Sequence, residues 1–298
     1  METIAFIGLG NMGGGMAANQ AKAGRTVRAF DLSEAALRSA ERAGCTASVS
    51  AREAVNGADA VITMLPAGKH VTAVYQNDIL PHAREGALLV DCSTIDVDSA
   101  RHVATLARDA GKGFRAADAP VSGGTAAADA GTLAFMVGCV EDDFPAVESA
   151  LAPMSRVTIH AGESGAGQAA KICNNMLLGI SMIGTCEAFA LADRLGLSAE
   201  RFFEISSQSS GQNWSMTSYC PVQGIGPASP ADRNFEGGFA TDMMLKDLRL
   251  AKDAAMSSGA VTPLGGHAEA LYALLSEQGL GEKDFSSVIE LLTKGRVK

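Results

Sequence analysis

The run "TIAFIGLGNMGGGM" at residues 3–16 constrains this chain more than any other stretch. An apolar, strand-like segment ends at Gly8, and Gly8, Gly10 and Gly13 then follow in GxGxxG spacing before a helix-like segment, "GMAANQAKAG". In such a turn the first glycine permits a tight bend, the second lets backbone approach a pyrophosphate, and the third lets helix and strand pack closely. The start of the helix offers unpaired N–H groups and a positive dipole to the phosphates. Asp31 ends the next strand-like run, "TVRAFD", 18 residues after Gly13. A carboxylate there accepts hydrogen bonds from a ribose diol and repels a 2′-phosphate, which predicts NAD rather than NADP. The candidate cofactor residues are therefore Gly8, Gly10, Asn11, Met12, Gly13 and Asp31. A glycine turn with no ligand is the plainer alternative, and the flanking strand, helix and carboxylate speak against it.

The rest of the first half continues the alternation. "SEAALRSAERAG" reads as a helix with Ser33 as its N-cap and Gly44 as its stop. "ADAVITMLP" and "ALLVDCST" read as strands, "HVTAVYQ" and "DVDSARHVATLARDAG" as helices, and "FRAADAPV" and "LAFMVG" as further strands. Strands alternating with helices at this spacing imply βαβ units and a parallel sheet. After about residue 162 long helical patterns take over, interrupted by a Gly/Pro/Ser-rich loop at 209–239 that holds Trp214, the only tryptophan, and Tyr219. The expected architecture is α/β followed by all-α: a Rossmann-type dinucleotide-binding domain over 1–162 and an all-helical domain over 163–298.

Composition narrows the partners. A net charge of −9 argues against general affinity for nucleic acid or an anionic membrane, so an anionic ligand must find positive charge locally. The longest apolar stretch, "MLLGISMIGTCEAFALA", is short, broken by Gly179 and Gly184, and carries Glu187, which reads against a membrane span. The six cysteines show no CxxC pairing, and Cys92, Cys139, Cys173 and Cys186 lie in apolar or small-residue runs that predict buried free thiols. A strand-like run already under way at Thr3 leaves no room for a leader, and a cytoplasmic location is expected. The five histidines form no HxxxH or HExxH pair, so no metal is expected, and no GxSxG elbow appears.

Two segments look chemical. "DAPVSGG" at 118–124 sits at the end of a strand, where Ser122 offers a hydroxyl and Gly123 and Gly124 expose backbone N–H groups suited to a carboxylate or phosphate. A plain turn would use the same residues. In "GQAAKICNNMLLG", residues 167–179, Gln168, Lys171 and Asn175 share one stripe of a largely apolar helix. Lys171 is either a surface lysine that snorkels or a partly buried amine. Burial beside a cationic nicotinamide makes the neutral amine accessible, as a general base for an alcohol proton requires.

Taken together, "FIGLGNMG", "ITMLP", "DCSTID", "DAPVSGG", "GTLAFMVG", "GAGQAAKICNNMLLGISMIGT", "GGF" with "LKDLRLAKD", and "KDFSSV" resemble the β-hydroxyacid dehydrogenase family along nearly the whole chain. The lysine helix, "SSGQNWS" and "KDFSSV" resemble its 3-hydroxyisobutyrate branch in particular. The resemblance implies that Lys171 is the catalytic lysine, that Ser122, Gly123 and Gly124 cradle the substrate carboxylate, and that Asn175 binds substrate. It further implies that Leu65, Pro66 and Thr94 line the cofactor, that Lys246 closes over NAD with Asp247 as an orienting partner, and that Trp214 and Tyr219 shape the substrate pocket. Proline is common in relatives where this chain has Gly15, and a third consecutive glycine is expected to loosen the turn.

The implied activity is NAD-dependent oxidation of a small 3-hydroxy acid, 3-hydroxyisobutyrate in valine breakdown, in a cleft between the two domains. A sibling activity on tartronate, succinate or glyoxylate semialdehyde would use the same apparatus, and a non-catalytic NAD-sensing module is the rival of another class. The apolar excess of the helical half points to burial against a second subunit, so a homodimer or homotetramer is expected.

Overall fold

The computed structural model describes residues 2–293, and the chain divides into two compact units between Lys171 and Ile172. Among the described residues the first unit carries all nine strands: β1 (Thr3–Ile7), β2 (Thr26–Phe30), β3 (Thr46–Ala47), β4 (Ala60–Thr63), β5 (Leu88–Asp91), β6 (Arg115–Asp118), β7 (Val121–Ser122), β8 (Leu133–Gly138) and β9 (Ser155–Gly162). They form one sheet in the order β3-β2-β1-β4-β5-β6-β8-β7, with β9 also paired to β8.

From β3 to β6 every pairing is parallel. Strands β4 and β5 are buried at every residue, and so are four of the five residues of β1, which is why they read as continuous apolar runs. Successive side chains go to opposite faces. Ile4, Phe6, Ile62, Leu88 and Val90 belong to one core layer, and Ala5, Ile7, Val61 and Leu89 to the other. The expected Rossmann-type sheet is present, with one departure from the parallel reading: β8 runs antiparallel to both β6 and β7. The reversal follows from the short Gly124–Ala130 helix, which ends at Gly131 in the left-handed conformation and returns the chain beside β6. Strand β9 and the Phe144–Leu151 helix were not legible as elements in the sequence.

Among the described residues the second unit is helical. Its main elements are the greater part of the Ala166–Arg194 helix, Ala199–Ser206, Thr241–Ser258 and Pro263–Leu275. Met182, Cys186, Phe189, Met244, Leu248, Tyr272 and Phe285 form its core. Gly179 lets Met244 and Leu248 approach the long helix, since a Cβ there would meet their side chains at 3.3–3.5 Å. By length and hydropathy that helix could cross a membrane, and 44% of its most apolar window is buried in the structure. The 209–239 stretch is ordered by short elements: Asn213 caps Trp214–Thr217, and Ser229 and Asp232 form a capping box on Pro230–Arg233. All six cysteines are free; five are buried, but Cys173 is exposed, contrary to its apolar neighbourhood, because it lies on an outer side of the lysine helix.

Candidate active site

The parallel strands β1, β2, β4 and β5 bring their C-terminal ends to one edge of the sheet. Every candidate cofactor residue of this unit follows one of those ends. Gly8, Gly10, Asn11, Met12 and Gly13 follow β1, Asp31 follows β2, Leu65 and Pro66 follow β4, and Thr94 follows β5. The strand order reverses between β1 and β4, the kind of place where an open α/β sheet presents a crevice for ligands.

The turn itself suits a dinucleotide. Gly8 has φ +96°, and a Cβ on it would run into the Met64 carbonyl; a Cβ on Gly13 would run into the carbonyl of Gly8. Those two glycines are steric requirements of the bend, whereas Gly10 has open space around its Cβ position. Asp31 accepts hydrogen bonds from the backbone N–H of Leu9 at 2.6 Å and of Ser33 at 2.8 Å. It therefore pins the glycine turn, a task its sequence position did not announce, and each carboxylate oxygen retains a lone pair for a ribose hydroxyl.

A buried polar network supports the neighbouring loops. The Leu65 N–H donates to Ser93 Oγ at 2.8 Å, and Ser93 Oγ and Thr63 Oγ1 donate to Asp91 Oδ1 at 2.5 and 2.6 Å. Asp91 is buried, and its Oδ2 has no hydrogen-bond partner among the described residues. Burial pushes its carboxyl up to about 6, with the Ser93 and Thr63 hydrogen bonds pulling the other way.

Ser122, Gly123 and Gly124 lie past the end of β6, with both glycines at positive φ, +139° and +71°. The Gly124–Ala130 helix that follows packs on the Gly13–Lys22 helix, where Asn19 Nδ2 donates to the carbonyl of Ala128 at 2.7 Å. Gly15 sits at that contact. A Cβ on it would meet Ala128 and Asp129 backbone atoms at 3.0 Å. The third glycine is thus favoured by packing, a role that the expectation of a looser turn did not include.

The lysine helix starts against the same region. Asp118 accepts from the N–H groups of Gly165 at 2.6 Å and Gln168 at 2.9 Å, a carboxylate placed at the positive end of a 29-residue helix. Burial nevertheless raises the Asp118 carboxyl, the backbone donors opposing it. The Gln168 side chain is fully buried, accepting from Ile95 N–H at 3.1 Å and donating to the Ser93 carbonyl at 2.7 Å. The stripe of Gln168, Lys171 and Asn175 is therefore divided, and Gln168 is spent on backbone. Lys171, three residues further on, is only 6% exposed, which removes the surface-lysine alternative.

In the second unit Asn175 is 1% exposed and donates through Nδ2 to Asp247 Oδ2 at 2.6 Å. Lys246 Nζ lies 3.9 Å from the other oxygen of that carboxylate. Asn175, Asp247 and Lys246 are thus gathered into one polar group. Trp214 and Tyr219 stack with ring centroids 4.9 Å apart, and the Tyr219 hydroxyl donates to the buried Asp284 at 2.8 Å. The supporting carboxylates Asp91, Asp118 and Asp284 were overlooked as functional positions. Each stands in a quoted motif, but nothing in their spacing identified them as supports.

Comparison with known proteins agrees with the fold and with a dinucleotide cofactor. Residues 3–162 match the family model described as the NAD binding domain of 6-phosphogluconate dehydrogenase, and residues 165–292 the one described as NAD-binding of NADP-dependent 3-hydroxyisobutyrate dehydrogenase. The NAD-dependent L-serine dehydrogenase of Pseudomonas aeruginosa is 48% identical over 98% of each chain. The 3-hydroxyisobutyrate dehydrogenase of the same organism is 46% identical, again over 98% of each. The solved structure of Mycobacterium tuberculosis 3-hydroxyisobutyrate dehydrogenase with L-serine superimposes with a TM-score of 0.94 at 48% identity, covering 98% of this chain and 99% of that one. A Rossmann-type sheet ending in a glycine turn, an all-helical second half and near-half identity from end to end lead to one conclusion: this chain is an NAD-binding dehydrogenase of the 3-hydroxyisobutyrate dehydrogenase family.

Proposed function

We propose that the chain oxidises the 3-hydroxyl of 3-hydroxyisobutyrate to the corresponding semialdehyde, the step that serves valine breakdown, with NAD as acceptor. The observation that carries the reading is Lys171: an amine only 6% exposed, on a helix whose first turn is bound through Gln168 to residues 93–95, just past the end of β5. A lysine withdrawn from solvent in this way is held in one place, as a group that must meet a substrate hydroxyl requires. In the proposed mechanism Lys171 Nζ takes the hydroxyl proton as general base and returns it in the reverse direction. Ser122 Oγ and the N–H groups of Gly123 and Gly124 hold the carboxylate. Asn175 gives one N–H to Asp247 and keeps a second for the substrate. Gly8 to Gly13, Asp31, Leu65, Pro66, Thr94 and Lys246 hold the dinucleotide. When bound, NAD supplies the hydride acceptor, and the protein supplies position and electrostatics.

L-serine is the second reading, favoured by the two relatives at 48% identity whose descriptions name it. It shares the 3-hydroxy acid skeleton and replaces the methyl on C2 by ammonium. Initial rates of NADH formation with (S)-3-hydroxyisobutyrate, its enantiomer, L-serine, D-glycerate and 4-hydroxybutyrate separate the readings. Preference for (S)-3-hydroxyisobutyrate is the expected result, and preference for L-serine moves the second reading to the front. Absence of turnover with all five, despite NAD binding, would replace both by an NAD-sensing role.

A further inference from the structure

We infer that Asp284 is a positioning residue for substrate selectivity: it holds Tyr219, and through Tyr219 the Trp214 ring, as an aromatic wall of the substrate subsite. The inference rests on the proposed function together with the role that the family resemblance implies for Trp214 and Tyr219, that of shaping the substrate pocket.

Asp284 is fully buried, yet both of its oxygens are engaged. Oδ2 accepts from the Tyr219 hydroxyl at 2.8 Å and from the Phe239 N–H at 2.8 Å. Oδ1 accepts from the Ser286 N–H at 2.9 Å and from Ser286 Oγ at 2.5 Å. Its own backbone is held as well, its N–H donating to the Phe235 carbonyl at 2.9 Å and its chain bridging to Ala240. Four donors converging on one carboxylate in an apolar core fix it in one place. The approach is so close that Gly238, at φ +80°, has no room for a Cβ between the Asp284 carboxylate and the Tyr219 hydroxyl.

The consequence passes outward through rings. Tyr219 lies between Phe285, at 5.7 Å and 28°, and Trp214, at 4.9 Å and 21°. Phe285 is buried and Trp214 is 50% exposed, so the stack runs from core to surface with Tyr219 in the middle. The phenol has one proton and it goes to Asp284. Tyr219 therefore offers substrate no hydrogen-bond donor, and with its two faces taken by Phe285 and Trp214 the ring face left for substrate is that of Trp214. An aromatic face suits a small group on C2 of a 3-hydroxy acid, and rejects a larger one only while its position is fixed. A methylene more or less in such a subsite is worth about 10- to 200-fold in discrimination.

The test uses Tyr219→Phe in the full chain, which keeps the ring and removes the bond to Asp284. Two quantities are read: the ratio of kcat/KM for 3-hydroxyisobutyrate to that for 2-ethyl-3-hydroxypropanoate, and acrylamide quenching of the single tryptophan. The expected result is a ratio reduced about tenfold, carried mainly by KM for the hydroxy acid, with faster quenching of Trp214 and KM for NAD unchanged. Asp284→Asn, which sets an amide against backbone donors, should show the same two changes if it folds. An equal loss on both substrates with quenching unchanged would mean that the Tyr219 hydroxyl serves substrate directly, and would overturn the proposal. So would an unchanged ratio, whatever the quenching does. Wild-type protein inactive on every hydroxy acid would bring down the functional reading and this inference together, whereas an active wild type with an unaffected Tyr219→Phe variant would bring down this inference alone.

Discussion

Lys171 is nearly as buried as Ile172 beside it, and its neighbours at 169, 170 and 172 contribute no charge. Replacing it with alanine is expected to lower kcat by about 10² to 10⁴, the usual contribution of a general acid–base group, while NAD still binds. Titration of the variant with NAD, followed by steady-state rates, checks both halves, and undiminished turnover would remove the lysine from the mechanism. Asp91 permits a second prediction at this scale. Its carboxyl is raised from 3.8 to about 6 by burial. Between those values the native state holds a proton that the unfolded chain has released, so this group's contribution becomes less favourable as pH rises from 4 to 6. Above that window the ionised group opposes folding by about 3 kcal/mol, from about two units at 1.36 kcal/mol each. The difference in Tm between Asp91→Asn and wild type should grow in favour of the variant from about pH 4.5 to about pH 8. A flat difference would place its native titration at the ordinary carboxylate value.

At the scale of elements, the Gly13–Lys22 and Gly124–Ala130 helices join the cofactor turn to the proposed carboxylate cradle. An alanine inside a helix normally stabilises by about 1 kcal/mol over glycine. At Gly15 the added methyl would press on Ala128 and Asp129 backbone at 3.0 Å, so Gly15→Ala should lower Tm and raise KM for both NAD and the hydroxy acid. A higher Tm would show that the two helices can separate without cost. The same region shows what the sequence made legible. The glycine turn, the apolar strands and the lysine helix announce themselves through local pattern, because each rule involved acts within one element. Gly15 reads as slack until its neighbour 113 residues away is known, and Gln168 reads as part of a substrate-facing stripe until its bonds to Ser93 and Ile95 are seen. Strand β9 escaped notice because its residues alternate between partial burial and exposure, leaving no apolar run. Long-range pairing, not local propensity, decided each of these.

For the whole molecule, the second unit leaves Leu177, Leu191 and Leu195 between 60% and 76% exposed along or just beyond the long helix. Apolar residues grouped in this way are characteristic of surfaces covered by another chain. The mass in solution is accordingly expected at two or four times 30.6 kDa by light scattering, and a monomer at micromolar concentration would contradict it. The support of the lysine helix bears on how such a chain can be inherited in pieces. The two family models meet between residues 162 and 165, an inviting junction for recombination between relatives. A crossover there would take Asp118 and Ser93 from one parent and Gly165 and Gln168 from the other. Chimeras should tolerate a seam after Lys171 better than one at 162, because only the later seam passes the whole hydrogen-bonded set on from a single ancestor.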